Sequence, residues 1–338
     1  MRAVRRLFLL AFFAAAAALG AGVWWLNQPV GARDAPALES GRAVLDLSIE
    51  PGTTARGVAQ AVADAGFRVN PGLLYTWFRV SGQARQIKAG SYEIEPGATP
   101  YSILQKLVRG DEALRAVTLV DGWNFNQVRA ALSKAEQLKA DTQGLQADLI
   151  MEKLGKPGTP AEGRFYPDTY NYAKGSSDLA VLKRAMRAMD KHLQAAWQQR
   201  LPDTPLKSPD QLLTLASIVE KETGRGSDRP QIAGVFTNRL KIGMLLQTDP
   251  TVIYGLGDKF DGNLRKRDLL ADTPWNTYTR AGLPPTPIAM PGKAALAAAV
   301  QPAPTQALYF VARGDGSSQF SATLEEHNRA VNQFQRGK

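Results

Sequence analysis

The sequence predicts an α+β protein: an N-terminal transmembrane helix, then a small α+β domain, then a larger, mainly helical α+β domain. Three observations lead there. An uncharged stretch runs from Leu7 to Asn27, a strand–turn–helix pattern recurs between residues 44 and 132, and helical periodicity dominates beyond about 117.

The first element is "MRAVRRLFLLAFFAAAAALGAGVWWLNQPVGAR", residues 1–33. Roughly 20 apolar residues in a helix span about 30 Å, the thickness of the hydrocarbon layer. Arg2, Arg5 and Arg6 stay on the cytoplasmic side, and Trp24 and Trp25 suit the far interface. A cleaved signal peptide is the rival reading, with small residues at Gly20–Gly22 for a cleavage site. The apolar stretch is long for such a signal, which favours a retained single-pass anchor. Residues 34–42 read as a linker, polar and without periodicity.

Composition removes several function classes. The chain has no cysteine and two histidines, His192 and His327. It therefore has no disulfide framework, no thiol nucleophile and no His-rich zinc site, and the expectation is chemistry without metal or cofactor. Net charge is +10, from 41 Lys and Arg against 31 Asp and Glu. Four of those Arg lie in residues 1–33; beyond them the positive excess is spread out and broken by acids. It lacks the dense basic–aromatic clusters of nucleic-acid binders, so no nucleic acid is expected. A mildly basic surface suits anionic lipid or wall polymer.

The recurring pattern starts with "VLDLSIEPGTTARGVAQAVADAG": alternating Val44, Leu47 and Ile49, then Pro51-Gly52, then Thr54 ahead of Val58 and Val62 at helical spacing. "GSYEIEPGATPYSILQKLVRG" repeats it with Pro96-Gly97 and Thr99. "VTLVDGWNFNQVRAAL" is a looser third copy, with Gly122 in the turn and Asn124 as cap. Irregular intervals and few copies mean a small α+β domain, about 43–112, rather than a solenoid.

Beyond it, helices are expected at 124–137, 178–199, 209–223, 230–240, 292–300 and 321–335, with a strand candidate at 308–313. "EGRFYPDTYNY" (162–172) and "DTPWNTYTRAGLPPTPIAMPG" (272–292) have no clear periodicity. Irregular stretches of that length inside a compact domain are more often functional than filler.

The most informative helix is "SPDQLLTLASIVEKETG", 208–224. Ser208 is the N-cap, Pro209 suits the first turn, Gln211 completes a capping box, and Gly224 supplies the stop. On a wheel with Leu212 at zero, the apolar arc is about 220° wide. Glu220 falls at about 80°, between Ala216 and Leu213, and Glu222 at about 280°, beside Leu215; Lys221 points to water. A carboxylate at a helix C-terminus opposes the macrodipole, and apolar walls disfavour its charged form. A Glu raised towards about 6 can act as a general acid. The two acids diverge by about 160°, so they cannot serve as the facing pair of an ordinary glycosidase; in glycan chemistry one would work alone. The wheel does not choose between them.

"LASIVEKETG", "GVFTNRLKIGMLLQTDPTVIYG", "WNTYTRAGLPPTPIAMPG", "ATLEEHNRAV" and "EGRFYPDTY" resemble the signature blocks of the YceG-like (MltG) endolytic murein transglycosylases, in the expected order. The resemblance implies a LysM-like subdomain at 43–112 and a YceG-like catalytic domain at 113–338. It implies an inner-membrane anchor with a cytoplasmic N-terminus and a periplasmic C-terminal domain. The implied activity is cleavage of the β-1,4 bond between N-acetylmuramic acid and N-acetylglucosamine in nascent peptidoglycan, leaving 1,6-anhydro ends and limiting strand elongation. The implied partners are the glycan strands and the peptidoglycan synthases of the same membrane.

By the motif, the catalytic Glu falls on Glu220. Asn238, Arg239, Gln247, Asp249, Thr251, Tyr254, Asn276 and Tyr278 lie in the matched blocks and offer donors and rings for sugar. Each also has a structural reading: Arg239 could pair with a buried acid, and Asp249-Pro250 looks like a helix start. Glu222 is expected to orient its neighbours or hold Arg239 or Arg225. One departure stands out: Ser318, in "GSSQF", occupies the place of a His common in the family, and His327 or Gln319 could take over any role that His has. The rival from another class is a non-catalytic, membrane-anchored glycan-binding protein. A peptide-cutting enzyme is disfavoured by the missing Cys, the scarce His and the lack of a Ser–His–Asp pattern.

Overall fold

The computed structural model describes residues 2–31, 45–95, 97–223 and 225–337. The linker at 34–42, and with it Val44, Pro96 and Gly224, lies outside them. The chain divides into two compact units, Met1–Arg115 with Ala173–Gly175, and Ala116–Tyr172 with Ser176–Lys338.

The first unit begins with α1 (Arg2–Leu26). Its stretch Leu9–Leu26 has a mean hydropathy of 1.9 and none of it is buried, so it is long and apolar enough to cross a membrane. Then come β1 (Leu45–Ile49), α2 (Ala55–Asp64), α3 (Pro71–Val80), β2 (Gly90–Ile94) and α4 (Pro100–Arg109). β1 and β2 pair antiparallel, Leu47 opposite Tyr92. Leu45, Leu47 and Ile49 face inward onto Val58, Val62, Leu74, Phe78 and Leu104, as the period-2 alternation requires.

The repeated pattern is physical. Gly52, Gly97 and Gly122 all turn with φ between 77° and 95°, which a side chain rarely adopts. Each is followed by a capped helix: Thr54 accepts from the N–H of Gly57, and Thr99 and Asn124 form capping boxes with Ser102 and Gln127. α3, capped by Asn70 and started by Pro71, intervenes without a counterpart in the repeat.

In the second unit the elements are β3 (Leu114–Thr118), into which the chain enters from the first, α5 (Phe125–Lys134), α6 (Ala147–Lys153), β4 (Thr169–Ala173) and α7 (Asp178–Gln198). They continue with α8 (Pro209–Glu222), α9 (Arg229–Lys241), α10 (Asp249–Leu256), α11 (Lys266–Leu270) and α12 (Lys293–Val300), and end with β5 (Tyr309–Ala312), β6 (Ser318–Ser321) and α13 (Leu324–Phe334). β3 pairs with β4, and β5 pairs antiparallel with β6. The irregular stretch 162–172 therefore ends in a strand: Tyr170 and Tyr172 alternate inward, a signal too short to read beside Pro167. The stretch 272–292 does stay free of helix and strand.

α8 is the axis of this unit, packed against α7, α9 and α12. Every residue from Leu212 to Val219 is buried. Ser208 caps it as expected, accepting from the N–H of Gln211. The Gln211 side chain, however, accepts from the N–H of Lys207 rather than Ser208, so the box closes one residue early. Mid-helix, the Ser217 hydroxyl donates to Thr214 O at 2.7 Å and accepts the N–H of Ile288 at 3.0 Å, fixing the 272–292 stretch to the helix. Ser217→Ala leaves that buried N–H without a partner. It should lower the free energy of unfolding in urea by about 1–3 kcal/mol.

Candidate active site

The two acids at the end of α8 face opposite ways, as the wheel requires, but their surroundings differ in kind. Glu220 shares a helix face with the buried Leu213 and Ala216. Its remaining side is closed by donors: Arg229 Nη2 lies 3.2 Å from Oε1, and the N–H of Gly292 donates to Oε2 at 2.9 Å. The side chain is 8% exposed and engaged at both oxygens. This corrects the purely apolar setting expected for it.

Glu222 opens onto a cleft of about 720 Å³ that Arg239, Gln247, Asp249 and Tyr278 also line. Four of the eight expected sugar-binding residues thus converge on Glu222, and none of the eight touches Glu220 by a hydrogen bond. The Glu222 residue stays partly accessible from the cleft, while its carboxyl end is closely packed. Burial pushes that carboxyl above its ordinary range. Thr248's hydrogen bond and Arg239's charge oppose the rise, and Asp249 adds to it.

The orientation of Glu222 is built from hydroxyls. Thr248 donates to Oε1 of Glu222. Thr248 is itself fixed: its N–H donates to Thr277 Oγ1 at 3.1 Å, and Thr251 Oγ1 donates to its carbonyl at 2.7 Å. Thr251 is fully buried, so it supports the threonine that holds the acid and does not reach the cleft.

Arg239 is 7% exposed, with Nε donating to Leu308 O at 2.6 Å and Nη1 to Leu246 O at 2.7 Å. Its guanidinium lies over the Tyr309 ring; burial lowers its pKa, and Tyr309, Tyr278 and Glu222 oppose that. The Tyr278 hydroxyl donates to Asp249. Ser318 lines this cleft, and so does His327, stacked on Tyr309; Gln319 instead bonds Arg313. Burial and the Arg239 charge lower the His327 pKa, which favours its neutral imidazole.

Two expected residues are spent on the chain itself. Asn238 donates to Thr305 O and Ala307 O. Asn276, fully buried, donates to Leu269 O and Ala271 O and accepts from the N–H of Tyr278, ordering a loop that has no ladder of its own.

Tyr254 belongs to a second cleft, of about 920 Å³, together with Phe125, Phe260, Trp275, Glu162 and Lys221. Its hydroxyl donates to Glu162 Oε2 at 3.1 Å, and Phe125 N–H, at the start of α5, donates to both carboxyl oxygens. Burial pushes Glu162 up to about 7. No sequence pattern singles out Glu162 or Arg229. Glu162 follows no periodic run, and the bond from Arg229 to Glu220 depends on how α9 packs. Among the described residues no group of three or more His, Asp or Glu side chains could hold a metal ion.

Comparison with known proteins gives one family. The YceG-like family model matches residues 47–333. An endolytic murein transglycosylase of Bacillus subtilis is 31% identical over 88% of this chain and 87% of its own. One of Streptococcus pneumoniae is 26% identical over 96% of this chain, which spans 64% of that longer protein. The 2.6 Å crystal structure of a YceG-like protein from Listeria monocytogenes, 29% identical, superposes with a TM-score of 0.54 over 85% of this chain and 99% of its own.

Glu162 yields a stability prediction. Its folded pKa of about 7 exceeds the ordinary 4.5, so the folded state binds the proton more tightly. Stability should therefore be highest below about pH 4.5 for this group and fall by about 3 kcal/mol as pH rises towards 7. Urea titrations across that range should show the slope in the wild type and lose it in Glu162→Gln.

Proposed function

This chain belongs to the YceG-like family, and from that premise we propose that it is a membrane-anchored endolytic murein transglycosylase. Its reaction is cleavage of the β-1,4 bond between N-acetylmuramic acid and N-acetylglucosamine within nascent glycan strands, leaving 1,6-anhydro ends and limiting strand elongation. α1 is the anchor, with the N-terminus cytoplasmic and the rest periplasmic, beside the synthases that make the strand. The LysM-like reading of the first domain, 43–112, makes it a glycan-holding module ahead of the catalytic domain, 113–338.

The acid in this proposal is Glu222, not the Glu220 that the motif implied. The observation that carries it is the convergence of Glu222 with Arg239, Gln247, Asp249 and Tyr278 in one cleft. Glu220 is bonded on both oxygens to Arg229 and Gly292, which leaves it little to offer a sugar.

The steps balance without water. Protonated Glu222 gives its proton to the bridging oxygen, the bond from that oxygen to C1 of the muramic residue breaks, and the glucosamine leaves as an alcohol. The muramic C6 hydroxyl then attacks C1, forming the anhydro bond, and its proton returns to the Glu222 carboxylate. One acid serves both steps, so no facing carboxylate is required. Burial helps keep the proton in place, and Thr248 holds the carboxyl in one rotamer. Arg239 and the Asp249–Tyr278 pair offer charge and polar groups for binding sugar.

Digestion of purified glycan strands, followed by mass analysis of the ends, tests this. The wild type should release anhydro-ended fragments and Glu222→Gln should lose at least about 10²–10⁴-fold in rate, since general acid–base assistance is worth that much. Because the acid must be protonated, kcat/KM should fall on the alkaline side. Glu220→Gln should keep activity within about tenfold, as the loss of a bond outside the cleft would allow. A dead Glu220→Gln beside an active Glu222→Gln would return the role to Glu220. A wild type that binds strands without cutting them would make the protein a binding module.

A further inference from the structure

The larger cleft, floored by Glu162 and Tyr254, has no part in the chemistry above, yet it is built from the same two helices as the catalytic one. The last turn of α8 sends Glu222 into one cleft and its neighbour Lys221 into the other. The first turns of α10 do the same, with Asp249 in the catalytic cleft and Pro250, Ile253 and Tyr254 in the larger one. The two clefts thus lie on either side of these two helix ends.

The lining has a definite chemistry. Trp275 and Tyr254 meet edge to face at 5.6 Å, and Phe260 also lines the cleft. These rings are held by polar ties: Trp275 Nε1 donates to Thr286 Oγ1 at 2.9 Å, and Tyr254 donates to Glu162. Asn124 and Asn126, at the N-terminus of α5, line it as well. Rigid aromatic faces with a few convergent amides fit a ligand that has an apolar C–H face and a rim of hydroxyl and acetamido groups. A strongly anionic ligand is a poorer match, because Asp148 and Asp258 outnumber Lys221 on the rim.

We propose that this second cleft is an outer subsite for the glycan strand, holding β-1,4-linked N-acetylated amino sugars away from the bond being cut. The proposal rests on the transglycosylase reading for its ligand. It explains how an enzyme with a single acid can hold a strand internally: the chain is gripped on one side of α10 while it is cut on the other.

The test uses the full-length protein in detergent and two readouts. The first is calorimetric binding of a pentamer of β-1,4-linked N-acetylglucosamine, a backbone free of lactyl and peptide groups. The second is KM and kcat on uncrosslinked glycan strands. Phe260→Ala removes a ring from a partly exposed turn, and Asn126→Ala an exposed amide, so neither threatens the core. Each should weaken pentamer binding roughly three- to tenfold, the scale of one such contact, and the loss on strands should fall on KM rather than kcat. Unchanged pentamer affinity and KM in both variants would overturn the subsite. So would a stem tetrapeptide, without sugar, that binds the cleft in place of the pentamer. Failure of the catalytic reading looks different: Glu222→Gln would stay active, while pentamer binding and its loss in Phe260→Ala would be untouched.

Discussion

α8 is sealed from Leu212 to Val219 and emerges only in its last turn, where two carboxylates two residues apart leave on opposite sides. That constraint shapes the rest of the second unit. Residues at that spacing on a helix diverge by about 160°, so they cannot share a substrate. Each needs its own solution to the cost of a charge near an apolar core. For Glu220 the solution is neutralisation in place, by Arg229 at the start of the next helix and by the Gly292 amide. For Glu222 it is a hydroxyl donor and an open cleft.

The hydroxyl cluster beneath Glu222 is what turns a buried acid into an aimed one. Thr248, Thr251 and Thr277 bond to one another, and three short, branched side chains have few rotamers to lose. The carboxyl is thereby fixed with one oxygen engaged. Three of the residues expected to touch sugar act at one remove instead: Thr251 through Thr248, Asn276 through the loop that carries Tyr278, and Asn238 through the chain at 305–307.

Much of the architecture was legible because it is local. Ser208 with Pro209, Thr54, Thr99 and Asn124 each mark a helix start within four residues of the signal, and the glycine turns recur because one backbone conformation recurs. The wheel of α8 correctly separated Glu220 from Glu222. It could not rank them, because the ranking depends on Gly292 and Thr248, far along the chain and brought near only by packing. Glu162 was illegible for the same reason: its partners Phe125 and Tyr254 lie 37 and 92 residues away. β4 was hidden in a stretch whose proline and aromatics mask two inward tyrosines.

The long stretch 272–292 has no regular structure, yet it is pinned towards both ends. Asn276 gathers carbonyls at one end, Trp275 is tied to Thr286, Ile288 to Ser217, and Met290 exchanges two backbone bonds with Gly122 and Trp123. A segment fastened at that many points is a fixed jaw and not a flap. On the transglycosylase reading, a strand would meet walls already in place, and no closing of this segment would have to precede bond breaking.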